Sequence, residues 1–596
     1  MKERQNIDDK YKWSIDDMFK NEEEIEKGFS KIEELIEKVI SYRGKLNESV
    51  ETFFEAIDSK VALDKSVENL FTYTRMKMDE DNRISQNQSR HAKALSYAVK
   101  SEEAQAYIYP EIQDFKEDYV KRIFSNDRGK EVQFYIEDIL RNKKHILSEK
   151  EEAILALTGE ISNSPSNIFS MLNNADLKFN KILDENDKEV ELTKGNFVKF
   201  LESQKKSVRK SAFEEMYSTY ETHINTIGAT LIGSIKKDLF HSKVRNYDST
   251  IHGALFADDV SIDLYDKLIE KVNEKLPVLH KYVDIRKKVM EVDELNIYDL
   301  YVPLIKEQFE NIEYDQAKDY VLNGLKPLGG EYSKVLNEAF DNNWIDVFEN
   351  KGKTSGAYSW GTYESKPYVM MNYQNNINNV FTLAHELGHS IHSYYSRKEQ
   401  NYLNSHYKIF VAEVASTVNE SILMNYMVEN CESREEKLYL LNYFMEQFRG
   451  TVFRQTMFAE FEKIVHERAQ NNEDLSVDVF NEIYYGLNKK YFGDNITIDD
   501  KIKFEWCRIP HFYSSFYVYK YATGFSSAVD IAKRIGVNEN NDLDNYLNFL
   551  KSGGSMHPVE LLKIAGVDIE TGKAIDNALD KFEEILDEFE KLYFEK

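Results

Sequence analysis

The sequence predicts a mainly α-helical protein, and three observations predict it. Only 8 prolines and 24 glycines occur in 596 residues, well under the usual shares of about 5% and 7%, too little punctuation for turn-rich sandwiches or barrels. Apolar residues recur at helical spacing near both ends of the chain. No proline interrupts the stretch between Pro367 and Pro510. With 42% hydrophobic residues and 13% aromatics the chain has ample material for a large core and too much for disorder. A length of 596 residues predicts more than one lobe.

From the N-terminus, Ile25, Phe29, Ile32, Ile36 and Val39 step by 4, 3, 4 and 3 with Glu and Lys between them, which predicts a helix with one buried stripe. Leu177–Phe179 and Val190–Leu192 flank the turn-prone Asp184–Asp187 and predict a hairpin. A long helical stretch is expected from about Asn196. The expected boundary lies there, giving an N-terminal helical lobe, 1–195, and a catalytic helical lobe, 196–596. No Pro/Gly/Ser-rich linker separates them. Aromatic and β-branched runs at Gly356–Tyr363 and Tyr368–Asn372, separated by Glu364–Pro367, predict a pair of strands just before a long helix. At the C-terminus Ile575, Leu579, Phe582, Leu586, Phe589 and Tyr593 form a second amphipathic stripe, read as core-facing.

The chemistry sits on the helix after the strands. Residues 381–396 contain His385-Glu386-x-x-His389. At 3.6 residues per turn, imidazoles at i and i+4 lie about 40° apart on one face, so both can converge on one Zn²⁺. Glu386 lies about 100° round from His385, beside the metal, where a carboxylate can act as base toward a zinc-bound water. Chance alone would place such a motif roughly once in 30 chains of this composition. Its helical context and the apolar support of Val380, Phe381 and Leu383 argue against two incidental histidines.

A catalytic zinc needs a third protein ligand and an open position. Glu399 falls in a polar stretch and reads as solvated charge. Glu413 is flanked by Val411, Ala412, Val414 and Ala415, a costly place for a carboxylate unless it binds a cation or partner, and is the expected ligand. Glu420, seven residues on, suits an acceptor for a ligand imidazole N–H. His392 shares the ligand face and is expected either beside the ligands or as a buried core histidine. The arrangement with a third histidine six residues after His389 is excluded, since Tyr395 stands there. A further cluster, Ile509–Gly524, offers His511, Tyr517 and Tyr521. Donors of this kind suit the oxyanion of an acyl-transfer intermediate, although an aromatic helix face is more often core.

These segments together resemble the oligoendopeptidase F branch of the thimet oligopeptidase-like zinc metallopeptidases. The resemblance rests on His385–His392, Ser355–Tyr363, Pro367–Val369, Phe381–Ala384, Phe410–Glu420 and Phe516–Gly524, and on Tyr11–Phe19 and Leu550–Ser555 nearer the ends. It covers essentially the whole chain. It implies a bilobed helical zincin with a deep channel and a small β-sheet beside the active-site helix. It implies one zinc on His385, His389 and Glu413, Glu386 as general base, and His511 with Tyr521, then Tyr517, as substrate and oxyanion donors. Gly356, Ala357 and Tyr358 are implied to contact substrate, pairing with an extended peptide as an added strand. The implied activity is zinc-dependent endoproteolysis of short oligopeptides. The competing readings are a helical zincin carboxypeptidase or dipeptidyl carboxypeptidase, and a non-catalytic peptide-binding scaffold with structural zinc.

Charge and cysteine content close the sequence reading. Acidic residues outnumber basic ones 104 to 77, a net charge of −27, which disfavours nucleic acid and anionic lipid as partners. No apolar run reaches membrane-spanning length and the N-terminus lacks the apolar segment of a signal peptide. Two cysteines, Cys431 and Cys507, are too few for a disulfide framework, so a cytoplasmic protein with reduced thiols is expected.

Overall fold

The computed structural model describes residues 1–595. Helices dominate, and the β structure among the described residues is one two-stranded and one three-stranded sheet. The chain divides into two compact units, and neither follows the boundary expected near residue 195. Unit 1 comprises Met1–Lys143, Phe309–Glu429 and Ile531–Val567, and unit 2 comprises Lys144–Gln308, Asn430–Asp530 and Asp568–Lys596. Each is therefore assembled from three separate segments, which no local feature of the sequence marks. No helix among the described residues is long and apolar enough to cross a membrane.

In unit 1 the N-terminal stripe forms α1 (Glu22–Ile40), which buries Ile25, Phe29, Ile32 and Val39 against α2 (Val50–Glu80). The Asn21 side chain caps α1 by accepting the Glu24 N–H at 3.0 Å. Glu22, Glu23 and Glu24 follow in the first turn, where acidic groups favour the helix dipole. The three-stranded sheet has the order β3 (Ile345–Asp346), β5 (Tyr368–Met370), β4 (Tyr358–Trp360), with β3 parallel and β4 antiparallel to β5. The two expected strands are present but shorter than their aromatic runs, and β3 is an addition. Only two residues long, β3 offers no alternation to read. It is held by the buried Asp346, which pairs with Lys353 at 2.6 Å and with Arg4. Central β5 is wholly buried, whereas β4 lies at the sheet edge and is half-buried.

Two long helices follow. α3 (Ile377–Glu399) starts at Asn376, whose side chain accepts the Asn379 N–H at 2.9 Å. α4 (Ile409–Glu429) returns along it. β4 and the helices Tyr314–Gly324 and Asp542–Ser552 cover further faces of α3.

In unit 2 the expected hairpin forms, but its first strand begins later than its apolar run suggested: β1 is Lys181–Leu183 and β2 is Glu189–Glu191. Asp184 sets this register, because its carboxylate accepts the N–H groups of Asn186 (2.8 Å) and Lys188 (3.0 Å) and closes a tight turn there. The helical stretch after Asn196 is three helices, Phe197–Leu201, Lys206–Thr222 and Ile224–Val244. The first break follows from Glu185 of the hairpin turn, which takes the Ser203 hydroxyl and the Gln204 N–H. Unit 2 also holds α5 (Arg454–Gln470), the first part of α6 (Tyr519–Val537), and α7 (Lys573–Phe594). α7 buries Ile575, Leu579, Phe582, Leu586 and Phe589 of the C-terminal stripe. Deep in unit 2, Glu505 accepts hydrogen bonds from Tyr217 (3.1 Å), Tyr484 (2.7 Å), Arg454 (2.7 Å) and Arg508 (3.1 Å).

Candidate metal centre

α3 presents His385 and His389 one turn apart, and the first turn of α4 brings Glu413 to them. The two Nε2 atoms are 3.1 Å apart, and Glu413 Oε2 lies 3.4 Å from His385 Nε2 and 3.8 Å from His389 Nε2. One ligand atom from each of the three residues falls within 4.8 Å of the others, and no other described His, Cys, Asp or Glu joins the group. Close packing of α3 on α4 makes this possible. Gly388 lies against the α4 backbone, where a Cβ would come within 2.6 Å of Ser416 Cα. The Asn419 amide of α4 also donates to the Ala384 carbonyl of α3 at 3.0 Å.

Each imidazole is oriented by its remaining nitrogen. His385 Nδ1 bonds the Glu420 carboxylate, and His389 bonds the Ala412 backbone. With Nδ1–H of His385 given to Glu420, its Nε2 lone pair faces the Nε2 of His389 and the Glu413 carboxylate. Three electron-rich atoms aimed at one point repel unless a cation or proton lies among them. Burial alone would push the His385 imidazole down, but the bonds to Glu413 and Glu420 outweigh it and raise it to about 10. Burial and the neighbouring His385 charge push His389 down to about 4. Two histidines and one carboxylate form a donor set that suits Zn²⁺, so these residues fit the metal that the sequence implies. The Glu413 side chain remains 43% exposed, leaving the ligand group open on one side.

Glu386 is buried at 7% exposure and points off the ligand face toward β4, where its carboxylate accepts the Ser359 backbone N–H. Burial pushes the carboxyl up to about 7; the charges of Glu413 and Glu420 add to this, while His385 and the Ser359 N–H oppose it. The β4 edge thus faces Glu386, and a Ser359–Ser390 hydroxyl contact at 2.8 Å ties strand to helix. Gly356 takes a left-handed φ of 87°, and its carbonyl accepts from Asn372 Nδ2 at 2.8 Å. The Tyr358 hydroxyl donates to Asp79 at 2.9 Å, so this side chain is engaged within unit 1. Ala357, between them, is half-buried.

His392 hydrogen-bonds neither ligand. Its ring is fully buried and stacked on Tyr407 at 3.7 Å, with no partner on either nitrogen, and burial pushes it down to about 3. It is thus a neutral packing group, the core alternative of the sequence reading. Glu399 is exposed at the last residue of α3. In unit 2, His511 Nε2 lies 3.2 Å from the Tyr521 hydroxyl, and the Tyr517 ring lies 6.2 Å from His511 and 5.5 Å from Tyr521.

Sequence reasoning missed Ser359, Ala412 and Gly388. The first two act through backbone groups, which the residue type does not disclose. Gly388 did carry a signal, because glycine inside a helix costs about 1 kcal/mol relative to alanine and needs a packing reason.

The model of peptidase family M3 matches residues 199–581, and that of the oligopeptidase F N-terminal region matches residues 111–179. The chain belongs to peptidase family M3. It is 46% identical over 581 residues to oligopeptidase PepF of Bacillus subtilis (strain 168), covering 97% of this chain and 87% of that protein. It is 38% identical to the chromosomal oligoendopeptidase F of Lactococcus lactis subsp. cremoris, covering 99% of each. The crystal structure of oligoendopeptidase-F from Enterococcus faecium superposes with a TM-score of 0.74 at 35% identity, over 96% of this chain and 99% of that one. As a member of the family the chain is a peptide-bond hydrolase of the metallo-oligoendopeptidase kind, built on the mainly helical fold expected of it.

Proposed function

We propose that the chain is a zinc-dependent endopeptidase that hydrolyses internal bonds of short oligopeptides, with Glu386 as its base. The observation that carries this reading is the convergence of His385, His389 and Glu413 beside a buried carboxylate raised to about 7. One zinc per chain, held by these three residues, would supply Lewis acidity, polarising the scissile carbonyl and lowering the pKa of water. The open side of the ligand group suits a catalytic rather than a closed structural site.

The chain's own residues supply the proton transfers and the positioning. Glu386, as carboxylate, takes a proton from the attacking water and delivers it to the departing amine nitrogen. The Ser359 N–H fixes the carboxylate for both transfers. Glu420 and the Ala412 backbone hold the ligand imidazoles in orientation. His511 and Tyr521, with Tyr517 as the further candidate, donate hydrogen bonds to the carbonyl oxygen as negative charge develops there. The segment Gly356–Tyr358, which leads into the β4 edge, binds the extended substrate through its backbone. Neither Cys431 nor Cys507 is in a disulfide, which supports a cytoplasmic location.

Mass-spectrometric mapping of cuts in a library of end-blocked peptides, with and without chelator, tests this function. Internal cuts abolished by chelator are expected, whereas cutting confined to peptides with a free C-terminus would replace the endopeptidase with a carboxypeptidase. Glu386→Gln should lower kcat about 10²- to 10⁴-fold while zinc stays bound, and full turnover in that variant would remove Glu386 as base.

A further inference from the structure

The turn between His511 and Tyr521 is held in a backbone conformation that its own sequence disfavours. Residues 510–513 form a short 3₁₀ turn, and α6 begins at Tyr519. Between them Phe516 adopts φ +57°. The other described non-glycine residues with positive φ are Asn, Asp and one Glu. Short polar side chains tolerate the left-handed region, but a bulky aromatic there is an outlier that its surroundings must impose.

The surroundings are α5 and the helices Ile224–Val244 and Ile262–Glu274. The Phe516 N–H donates to Glu462 Oε1 at 3.0 Å, and Glu462, on α5, is buried at 2% exposure. One turn along α5, the His466 ring packs 4.6 Å from the Phe516 ring, and Tyr265 closes the other side at 5.8 Å. Ser515 is tethered as well, its hydroxyl donating to Asp238 Oδ2 at 2.6 Å. Two consecutive residues of the turn are thus gripped by acidic side chains. Burial drives the Glu462 carboxyl well above its usual range, the nearby Asp238 charge adds to this, and the Phe516 N–H held on one oxygen opposes it. Its Oε2 has no partner, so the bond to Phe516 is the polar contact that Glu462 makes.

We infer that Glu462 is a positioning residue for the peptidase reaction: by holding the Phe516 N–H it keeps the turn left-handed, and so sets Tyr517 and Tyr521 against His511. The inference rests on the reading of His511 and Tyr521 as donors to the substrate. A donor aimed at a developing oxyanion loses most of its effect when displaced by about 1 Å. Releasing the turn should therefore act on kcat more than on substrate binding.

The test uses the full chain with zinc and a double-variant cycle. Tyr521→Phe should lower kcat about 10²-fold. Glu462→Met, which keeps size and removes the acceptor, should lower kcat about tenfold or more with KM within about twofold. Glu462→Gln retains a carbonyl oxygen for the Phe516 N–H and should stay within about threefold of the parent. Combined with Tyr521→Phe, the Glu462→Met change should cost no more than about a further threefold, since both act through the same group. A purely structural loss would instead multiply through. Full multiplication, or parental kcat in Glu462→Met while Tyr521→Phe is impaired, overturns the positioning role alone. Parental kcat in Tyr521→Phe overturns the donor reading and this inference with it. If Glu462→Met does not fold, Ser515→Ala releases the second tether; a several-fold fall in kcat with zinc retained supports the inference, and parental kcat overturns it.

Discussion

Gly388→Ala tests the geometry of the metal centre without touching a ligand. The added Cβ would lie 2.6 Å from Ser416 Cα, 2.9 Å from the Ala415 carbonyl oxygen and 3.0 Å from the Ser416 nitrogen, all of them backbone atoms of α4. Carbon atoms in ordinary contact sit about 3.5 Å apart or more, so the two helices must separate locally by roughly 0.9 Å. No side-chain rotation relieves a clash with backbone. Glu413 lies three residues from Ser416 on α4, whereas His385 and His389 ride on α3, so the separation pulls the carboxylate from the imidazoles. Metal sites tolerate ligand displacements of only about 0.2 Å. Overpacking costs roughly 1–3 kcal/mol, and the better helix propensity of alanine offsets about 1 kcal/mol of it, so the net loss of stability is small. Metal affinity should suffer far more, on the order of 10- to 100-fold by comparison with lost supporting contacts at other metal sites. Chelator competition gives the zinc Kd, thermal unfolding gives stability, and peptide hydrolysis at rising zinc shows whether added metal restores activity. A variant with parental zinc Kd and parental kcat/KM would refute the claim that Gly388 sets the spacing of the ligand helices.

Glu420→Gln keeps the shape of the acceptor for His385 Nδ1–H but removes its charge; zinc affinity should fall about tenfold or more, measured by the same competition, with the fold intact by circular dichroism. Glu505 makes a pH prediction. Burial alone would raise its carboxyl, but Arg454 and Arg508 overcome this and hold it at about 2, below the ordinary value of about 4.3. A depressed carboxylate contributes stability that is fully present above its unfolded value and lost as pH falls from about 4.3 toward 2. Glu505→Gln should cost roughly 3 kcal/mol at pH 7 by leaving two half-buried guanidinium groups short of a partner, and the gap in urea midpoint between variant and parent should narrow between pH 4.5 and 2.5. An unchanged gap would show that the ion pairs do not set this dependence.

The convergence of His385, His389 and Glu413 was legible because a 3.6-residue period converts sequence spacing into facing directions, and because Glu413 stands among apolar neighbours where a charge needs a purpose. The strands β4 and β5 were legible from their aromatic and β-branched content. What escaped was set by tertiary contact. The division of the chain depends on which helices pack together, so segments 531–567 and 568–596 separate into different units although nothing local divides them. β1 was misplaced because the Asp184 carboxylate, rather than the apolar run at Leu177–Phe179, decides where the hairpin turns. Ser359 and Ala412 act through main-chain atoms that any residue possesses, and Phe516 adopts a conformation that its side chain argues against.

The patchwork of unit 1 has a consequence for biosynthesis. The helix Asp542–Ser552 seals α3 from behind: Phe549 lies 5.3 Å from His392, the Tyr546 hydroxyl reaches the Ala415 carbonyl, and the Lys551 carbonyl receives the Gln400 amide. A ribosome adding about 5–20 residues per second makes that helix some 6–25 s after finishing α4. During that interval α3 and α4 have emerged without this backing. A helix translated well after α4 therefore completes the enclosure of a motif made much earlier, and a nascent fragment that already carries His385, Glu386, His389, Glu413 and Glu420 still lacks that support.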